Sequence, residues 1–100
     1  MENTGIVERA LISVQPGTAG EFIAAFATAR KYVERSPGFQ KMEMRQGIES
    51  PDSFLLLIWW ATLEDHTKGF RESDNFVQWR AVLGPIFAAP PAVEHYAAPL

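Results

Sequence analysis

Phe54-Leu55-Leu56-Leu57-Ile58-Trp59-Trp60-Ala61 is the longest uninterrupted apolar run in the chain. It is far shorter than the ~20 residues that cross a bilayer, and shorter than an ordinary helix. Turn-forming residues frame it, Pro51-Asp52 before and Thr62 after. As an extended strand it places Leu55, Leu57 and Trp59 on one side and Phe54, Leu56, Ile58 and Trp60 on the other. Apolar side chains on both faces predict a central strand buried on both sides.

On the amino-terminal side, the turn Glu49-Ser50-Pro51-Asp52 joins this strand to Phe39 to Ile48. There Met42 and Met44 alternate with Lys41, Glu43 and Arg45, as suits a strand with one solvated or edge-facing side. Ser36-Pro37-Gly38 ends the element before it, because a residue preceding proline avoids the helical region and glycine accepts the turn. That element is a helix. Phe22, Phe26, Ala29 and Val33 recur at steps of four, three and four, one helical stripe. Thr18 and Glu21 have the spacing of a capping box at its start. Pro16-Gly17 separates it from a first strand, Ile6 to Val14, with Ile6, Ala10, Ile12 and Val14 on one side and Val7, Leu11 and Ser13 on the other.

On the carboxy-terminal side, Thr62 and Asp65 offer a second cap, opening a short helical turn with Leu63, His66 and Phe70 on its inner stripe. Gly69 weakens that turn, and Ser73-Asp74 restarts the helix, which carries Phe76, Val77, Trp79, Val82 and Leu83 and stops at Gly84-Pro85. A proline-rich loop over 84–91 leads to a last strand, Ala92 to Tyr96.

Strand, helix, strand, strand, helix, strand is the ferredoxin-like α+β order, a four-stranded antiparallel sheet with two helices on one face. The helices cover one face only, yet the central strand is apolar on both. At about 25 cal/mol per Å2, leaving either row in water would cost several kcal/mol. A second copy of the same face is the simplest cover, so the expected assembly is a twofold homodimer with a barrel-like core.

A chain of 100 residues with 47% apolar and 21% charged residues is expected to form one domain over 1–100. A net charge of -3 gives no basic footprint for nucleic acid or anionic membranes. Zero cysteines exclude disulfides, thiolate metal sites and a cysteine nucleophile. Met1-Glu2-Asn3-Thr4-Gly5 has neither the basic start nor the apolar stretch of a signal peptide, which makes the cytoplasm the expected location.

The pieces resemble, in order and spacing, the antibiotic biosynthesis monooxygenase family of the dimeric α/β-barrel superfamily. The residues that carry the resemblance are Pro16-Gly17 before a helix with Phe22 and Phe26, then Ser36-Pro37-Gly38-Phe39. Trp60 followed by Leu63-Glu64-Asp65-His66 comes next, then Phe70, Ser73, Phe76, Trp79 and the closing Pro91-Ala92-Val93-Glu94-His95-Tyr96. The resemblance covers nearly the whole chain. It implies oxidation of a small aromatic phenol or hydroquinone by O2 with no cofactor: no metal, flavin or haem. An electron-rich phenolate can itself reduce O2, and the protein supplies a dry pocket, a base and hydrogen-bond donors. A haem-degrading branch of the superfamily uses an asparagine on the first strand and a tryptophan and histidine on the second helix. Ala10, Phe70 and Arg80 stand at the matching positions here, so that set is absent.

His66, on the inner stripe of the short turn, is the candidate general base, since a histidine can accept a phenolic proton at neutral pH. Its alternative role is packing, with the ring bonded to a backbone carbonyl. His95 faces the same cavity, the dimer seam or solvent, according to a register the sequence leaves open. Trp60, Phe70 and Trp79 are candidate substrate walls, joined by Phe22 and Phe26 under the helices; all five also serve as core. Tyr32 lies toward the polar side of the first helix. Glu8 and Arg9 interrupt an apolar strand, where an inward charge requires a partner, here or across the dimer. Arg80 either holds an anionic group or caps the second helix. Met42 and Met44 suit core filling, and two histidines 29 positions apart do not make a metal set.

The expected function is therefore a cofactor-independent monooxygenase-like enzyme acting on a small aromatic substrate. The alternative is a non-catalytic or differently catalytic dimeric barrel, in small-ligand binding or stress response. A closed core would favour the latter; an open aromatic pocket holding His66 would favour the enzyme.

Overall fold

The computed structural model describes residues 5–100. Residues 1–4, part of the amino-terminal stretch read above as lacking a signal sequence, lie outside the described residues. The element order is β1 (Ile6–Ser13), α1 (Ala19–Glu34), β2 (Phe39–Gln46), β3 (Ser53–Trp60), a π-helical turn (Asp65–Phe70), α2 (Asp74–Leu83), a 3-10 turn (Gly84–Ile86) and β4 (Ala92–Tyr96). The strands form one antiparallel sheet in the order β2-β3-β1-β4. This is the ferredoxin-like α+β arrangement expected from the sequence.

The apolar run is β3, and it sits in the middle of the sheet between β2 and β1. Phe54, Leu56, Ile58 and Trp60 face the helices and are buried, while Leu55, Leu57 and Trp59 on the opposite face are half-buried. Antiparallel register sets Ala10 opposite Leu56 and Ile12 opposite Phe54 on the helix side. Phe22, Ala29 and Val33 of α1 and Trp79 and Leu83 of α2 close the core above them.

The face away from the helices is mixed. Leu11 and Tyr96 are exposed there, alongside Val7, Leu55, Leu57 and Trp59. Charged side chains flank this apolar stripe: Arg9 pairs with Glu94 on the β4 side, and Glu43 bridges Lys41 and Arg45 along β2. Arg9 therefore finds its partner within its own chain.

The three helix starts expected from the sequence behave differently. Thr62 and Asp65 form a reciprocal box: the Thr62 backbone N–H donates to Asp65 Oδ2 at 3.1 Å and the Asp65 N–H donates to Thr62 Oγ1 at 3.1 Å. Ser73 caps α2, accepting from the Phe76 N–H. Thr18 does not cap α1. Its backbone is not in the extended conformation that aims a cap side chain at the helix, and its hydroxyl instead donates to the Gln15 carbonyl at 2.6 Å.

Gly38 supports the box that starts the π-helical turn. It has a positive φ of 85°, and a Cβ there would run into the Asp65 carboxylate. Gly17 has a similar φ of 81° with nothing near it. Among the described residues no helix is long and apolar enough to cross a membrane.

Gly17→Ala is expected to cost about 1 kcal/mol, from backbone conformation alone. Gly38→Ala is expected to cost at least about 2 kcal/mol, because it also displaces Asp65. Urea denaturation of both variants measures the difference.

Candidate functional site

Glu8 follows the alternation of β1 and points to the helix side, one step from Ala10. Carboxylates in apolar surroundings lose solvation that only hydrogen bonds or charges can replace. Glu8 is 5% exposed, and its partners come from distant parts of the chain. Trp60 Nε1–H donates to Glu8 Oε1 at 3.0 Å, and His66 Nε2 lies 3.3 Å from the same oxygen. The other His66 nitrogen, Nδ1, is 2.7 Å from His95 Nε2. The result is a continuous line: Trp60 and Glu8 at the buried end, His66 in the middle, His95 at the exposed end.

Four elements deliver these groups: β1, β3, the π-helical turn and β4. Across the β1–β4 ladder Glu8 stands directly opposite His95, so both side chains leave the sheet on the helix side. That register answers the open question about His95. His66 reaches over them from the π-helical turn, in which the Arg71 N–H donates to the His66 carbonyl, an i to i+5 step. The wider turn buries both His66 and Phe70, and such turns are frequent where a helix is bent around a functional group. Trp60 backs the imidazole in a near-parallel stack, centroids 5.7 Å apart and planes at 19°. The ring of His66 is thus fixed on one face by Trp60 and at both nitrogens by hydrogen-bonding groups.

Burial shifts the two inner members in opposite directions. The Glu8 carboxyl is pushed up to about 7 by desolvation, against the pull of the Trp60 N–H and the Arg71 charge. His66 is pushed down to about 4, first by desolvation and then by His95 and Arg71. Near neutral pH His66 is an uncharged imidazole and Glu8 is the member that gains or loses a proton. When Glu8 is ionised it accepts from Trp60 Nε1–H, with His66 Nε2 close to the same oxygen, and of His66 Nδ1 and His95 Nε2 one donates to the other.

Glu8 and His66 stand on the lining of a cleft of about 540 Å3 that is open along one side; His95, expected from the sequence as a candidate substrate contact, lies behind His66 and is not on that lining. The cleft lies over β1 and β3 beside β4, between the sheet and α2 with the loop over 84–91. Ala10, small at the centre of β1, forms part of its floor with Leu56 and Ile58. Phe70, Phe76 and Trp79 form an aromatic side, and Arg71 and Arg80 are the cationic groups on its lining.

Not every aromatic singled out in the sequence reaches this cleft. His66, Phe70 and Trp79 line it. Trp60 does not, since it is fully buried behind the imidazole. Phe22 does not, because it is fully buried against Phe54, centroids 4.6 Å apart. Phe26 lines a separate shallow depression with Arg30 and Met42 at the other end of the sheet. Tyr32 is half-buried under the cations of Lys31 and Arg35. Glu8 is the residue whose place in the site the sequence reading did not assign. The one available signal was a carboxylate at an inward position of an apolar strand. Among the described residues no group of three or more metal-ligating side chains is arranged around a common point. Glu8, His66 and His95 follow one another in a line rather than converging.

The opposed shifts have a measurable consequence. A carboxyl raised from 4.5 to about 7 destabilises the fold progressively as pH rises through that window, because ionisation favours the unfolded chain. A histidine lowered from 6.5 to about 4 costs stability as pH falls through its own window. Glu8→Gln keeps an acceptor for Trp60 and a donor for His66 but cannot ionise. Between pH 4.5 and about pH 8 the stability difference between Glu8→Gln and the parent is expected to move by about 2–3 kcal/mol in favour of the variant. Denaturant titrations at the two pH values measure this.

The family model described as antibiotic biosynthesis monooxygenase matches residues 5–82. The uncharacterized protein YczJ of Bacillus subtilis (strain 168) is 35% identical over 89 residues, covering 89% of this chain and 94% of that protein. A crystal structure from Bordetella bronchiseptica, assigned to the antibiotic biosynthesis monooxygenases, superposes with a TM-score of 0.92 at 37% identity, covering 97% of this chain and 99% of that one. SnoaB from Streptomyces nogalater, a cofactor-independent oxygenase, shares the fold with a TM-score of 0.82 at 15% identity, covering 97% of this chain and 95% of its own. The span of the family match and the likeness to the Bacillus and Bordetella proteins over almost their full lengths establish the relationship: this chain belongs to the antibiotic biosynthesis monooxygenase family.

Proposed function

We propose that the chain is a cofactor-independent monooxygenase that oxidises a small phenol or hydroquinone with O2 in the cleft beside β1 and β4. The observation that carries this reading is an aromatic cleft of about 540 Å3 with Glu8 and His66 on its lining. Its volume lies within the roughly 300–1,000 Å3 of small-molecule sites. A closed core would have favoured a protein with no substrate; the open cleft on His66 supports the enzyme. Membership of the family supports a monooxygenase type of role, and SnoaB, which shares the fold, is itself a cofactor-independent oxygenase.

The chemistry needs no outside reductant. A phenol with a free ring position and one O2 become a quinone and one water; one oxygen atom enters the ring and the other leaves as water. All four electrons that reduce O2 come from the substrate. The protein has to remove the phenolic proton, because the phenolate is the form that gives up an electron readily. Glu8 and His66 are the members of the line that reach the cleft lining, so the phenolic proton is taken by Glu8, whose pKa near 7 suits storage and return at neutral pH, while His66, held between Glu8 and His95, positions the carboxylate. The returned proton accompanies loss of water from the oxygenated ring. The apolar floor and aromatic side keep bulk water from competing for the phenolate.

The apolar stripe on the other sheet face completes the proposal. A second copy of the chain covers Leu11, Leu55, Leu57 and Trp59 in a twofold homodimer, with the ion pairs of β2 and β4 on its rim.

Oxygen uptake with a panel containing anthrone and 1,4-dihydroxynaphthalene tests the activity. His66→Gln is expected to lower kcat by about 100-fold, and Glu8→Gln to flatten the rise in rate through pH 7. Full uptake by His66→Gln would remove the role given to His66. In light scattering the parent is expected to be a dimer at micromolar concentration, and Leu57→Glu a folded monomer. A monomeric parent would remove the assembly.

A further inference from the structure

The arginines of this chain divide into two groups. Arg9 pairs with Glu94, Arg30 with Glu34 and Arg45 with Glu43, and Arg35 donates to the Asn75 side-chain oxygen. Arg71 and Arg80 have no hydrogen-bond or ion-pair partner for their guanidinium groups among the described residues. They are also the two that line the cleft. The chain has 12 acidic residues against 9 basic ones, so unpaired cations are not forced on it by a shortage of carboxylates.

Both side chains are held by one ring. The Arg71 guanidinium lies 5.5 Å and the Arg80 guanidinium 6.0 Å from the centroid of Phe76, which is itself on the cleft lining. Arg80 is one helical turn after Phe76 in α2, and Arg71 is placed by the end of the π-helical turn. The contact with the ring orients the charges without neutralising them. Glu8 is the sole acidic residue on the lining, and it is committed to Trp60 and His66. Two oriented, unneutralised guanidinium groups beside an aromatic, largely apolar wall form half of a recognition site for a planar molecule with an anionic substituent.

We propose that the cleft selects aromatic substrates carrying a carboxylate or similar anionic group, with Arg71 and Arg80 holding that group while the ring lies along Phe76 and Trp79. This rests on the proposed aromatic substrate class and narrows it. The anion is a substituent of the ring and not the phenolate oxygen, which belongs at the histidine end.

The test uses the full chain and two probes of nearly equal shape, 6-hydroxy-2-naphthoate and 6-hydroxy-2-naphthamide, with binding followed by calorimetry. The naphthoate is expected to bind the parent about tenfold or more tightly than the naphthamide, with the advantage shrinking as salt is raised. Arg71→Gln and Arg80→Gln should each reduce that advantage, and the double variant should abolish it while still binding the naphthamide, which also reports that the variant is folded. Equal binding of the two probes by the parent overturns this proposal and leaves the aromatic cleft standing. Equal weakening of both probes by the arginine substitutions also overturns it, since the cations would then be acting on the phenol oxygen. Failure of the parent to bind either probe overturns the aromatic-substrate reading and this one together.

Discussion

A carboxyl group buried in an apolar sheet face governs the organisation of this molecule. Glu8 would be costly where it stands without the Trp60 indole N–H and the His66 imidazole. Meeting that need draws together the end of β3, the π-helical turn and, through His66, the edge strand β4. Trp60 must be buried to reach Glu8, and the imidazole that shares the carboxylate must stack on the same indole. One polar group in β1 therefore fixes the placement of three others contributed by distant stretches of chain.

The cleft is the counterpart of that constraint. Helices α1 and α2 seal the sheet where Phe22, Val33 and Leu83 are fully buried, and the β1–β4 side is left with a small floor residue, Ala10, and an aromatic flank. A buried proton-holding group at the end of a cleft with cations on its lining is an arrangement in which neutral and anionic parts of a ligand meet different surroundings. Arg71 touches both functions: its charge lowers the pKa of Glu8 and of His66 while its guanidinium remains available on the lining. Ligand charge at Arg71 and proton affinity at Glu8 are consequently linked.

Much of the architecture was legible in the sequence because its signals are local. The apolar run of β3, the stripe of α1, the Thr62–Asp65 box and the Ser73 cap all depend on residues a few positions apart. The Thr18–Glu21 pair carried the same signal and did not form a cap, because the turn after Pro16-Gly17 draws the Thr18 hydroxyl back to Gln15. The site was less legible. Glu8 meets Trp60 across 52 positions and His66 meets His95 across 29, separations at which pattern gives no pairing. His95 could be placed only by the β1–β4 register, since a slip of one residue would turn it to the other face. Trp60, Phe22 and Phe26 have the same composition and periodicity as Phe70 and Trp79, and only the three-dimensional packing separates core rings from lining rings.

Strand β4 has a particular standing in this arrangement. It is five residues long, exposed throughout and joined to the sheet along β1 alone. Short border strands held by a single ladder are where a folded domain opens first under native conditions. Each such opening would carry His95 away from His66 while leaving Glu8 bonded to Trp60. Chemical readiness would then come and go with the breathing of one chain segment, on a timescale set by local unfolding rather than by the lifetime of the whole fold.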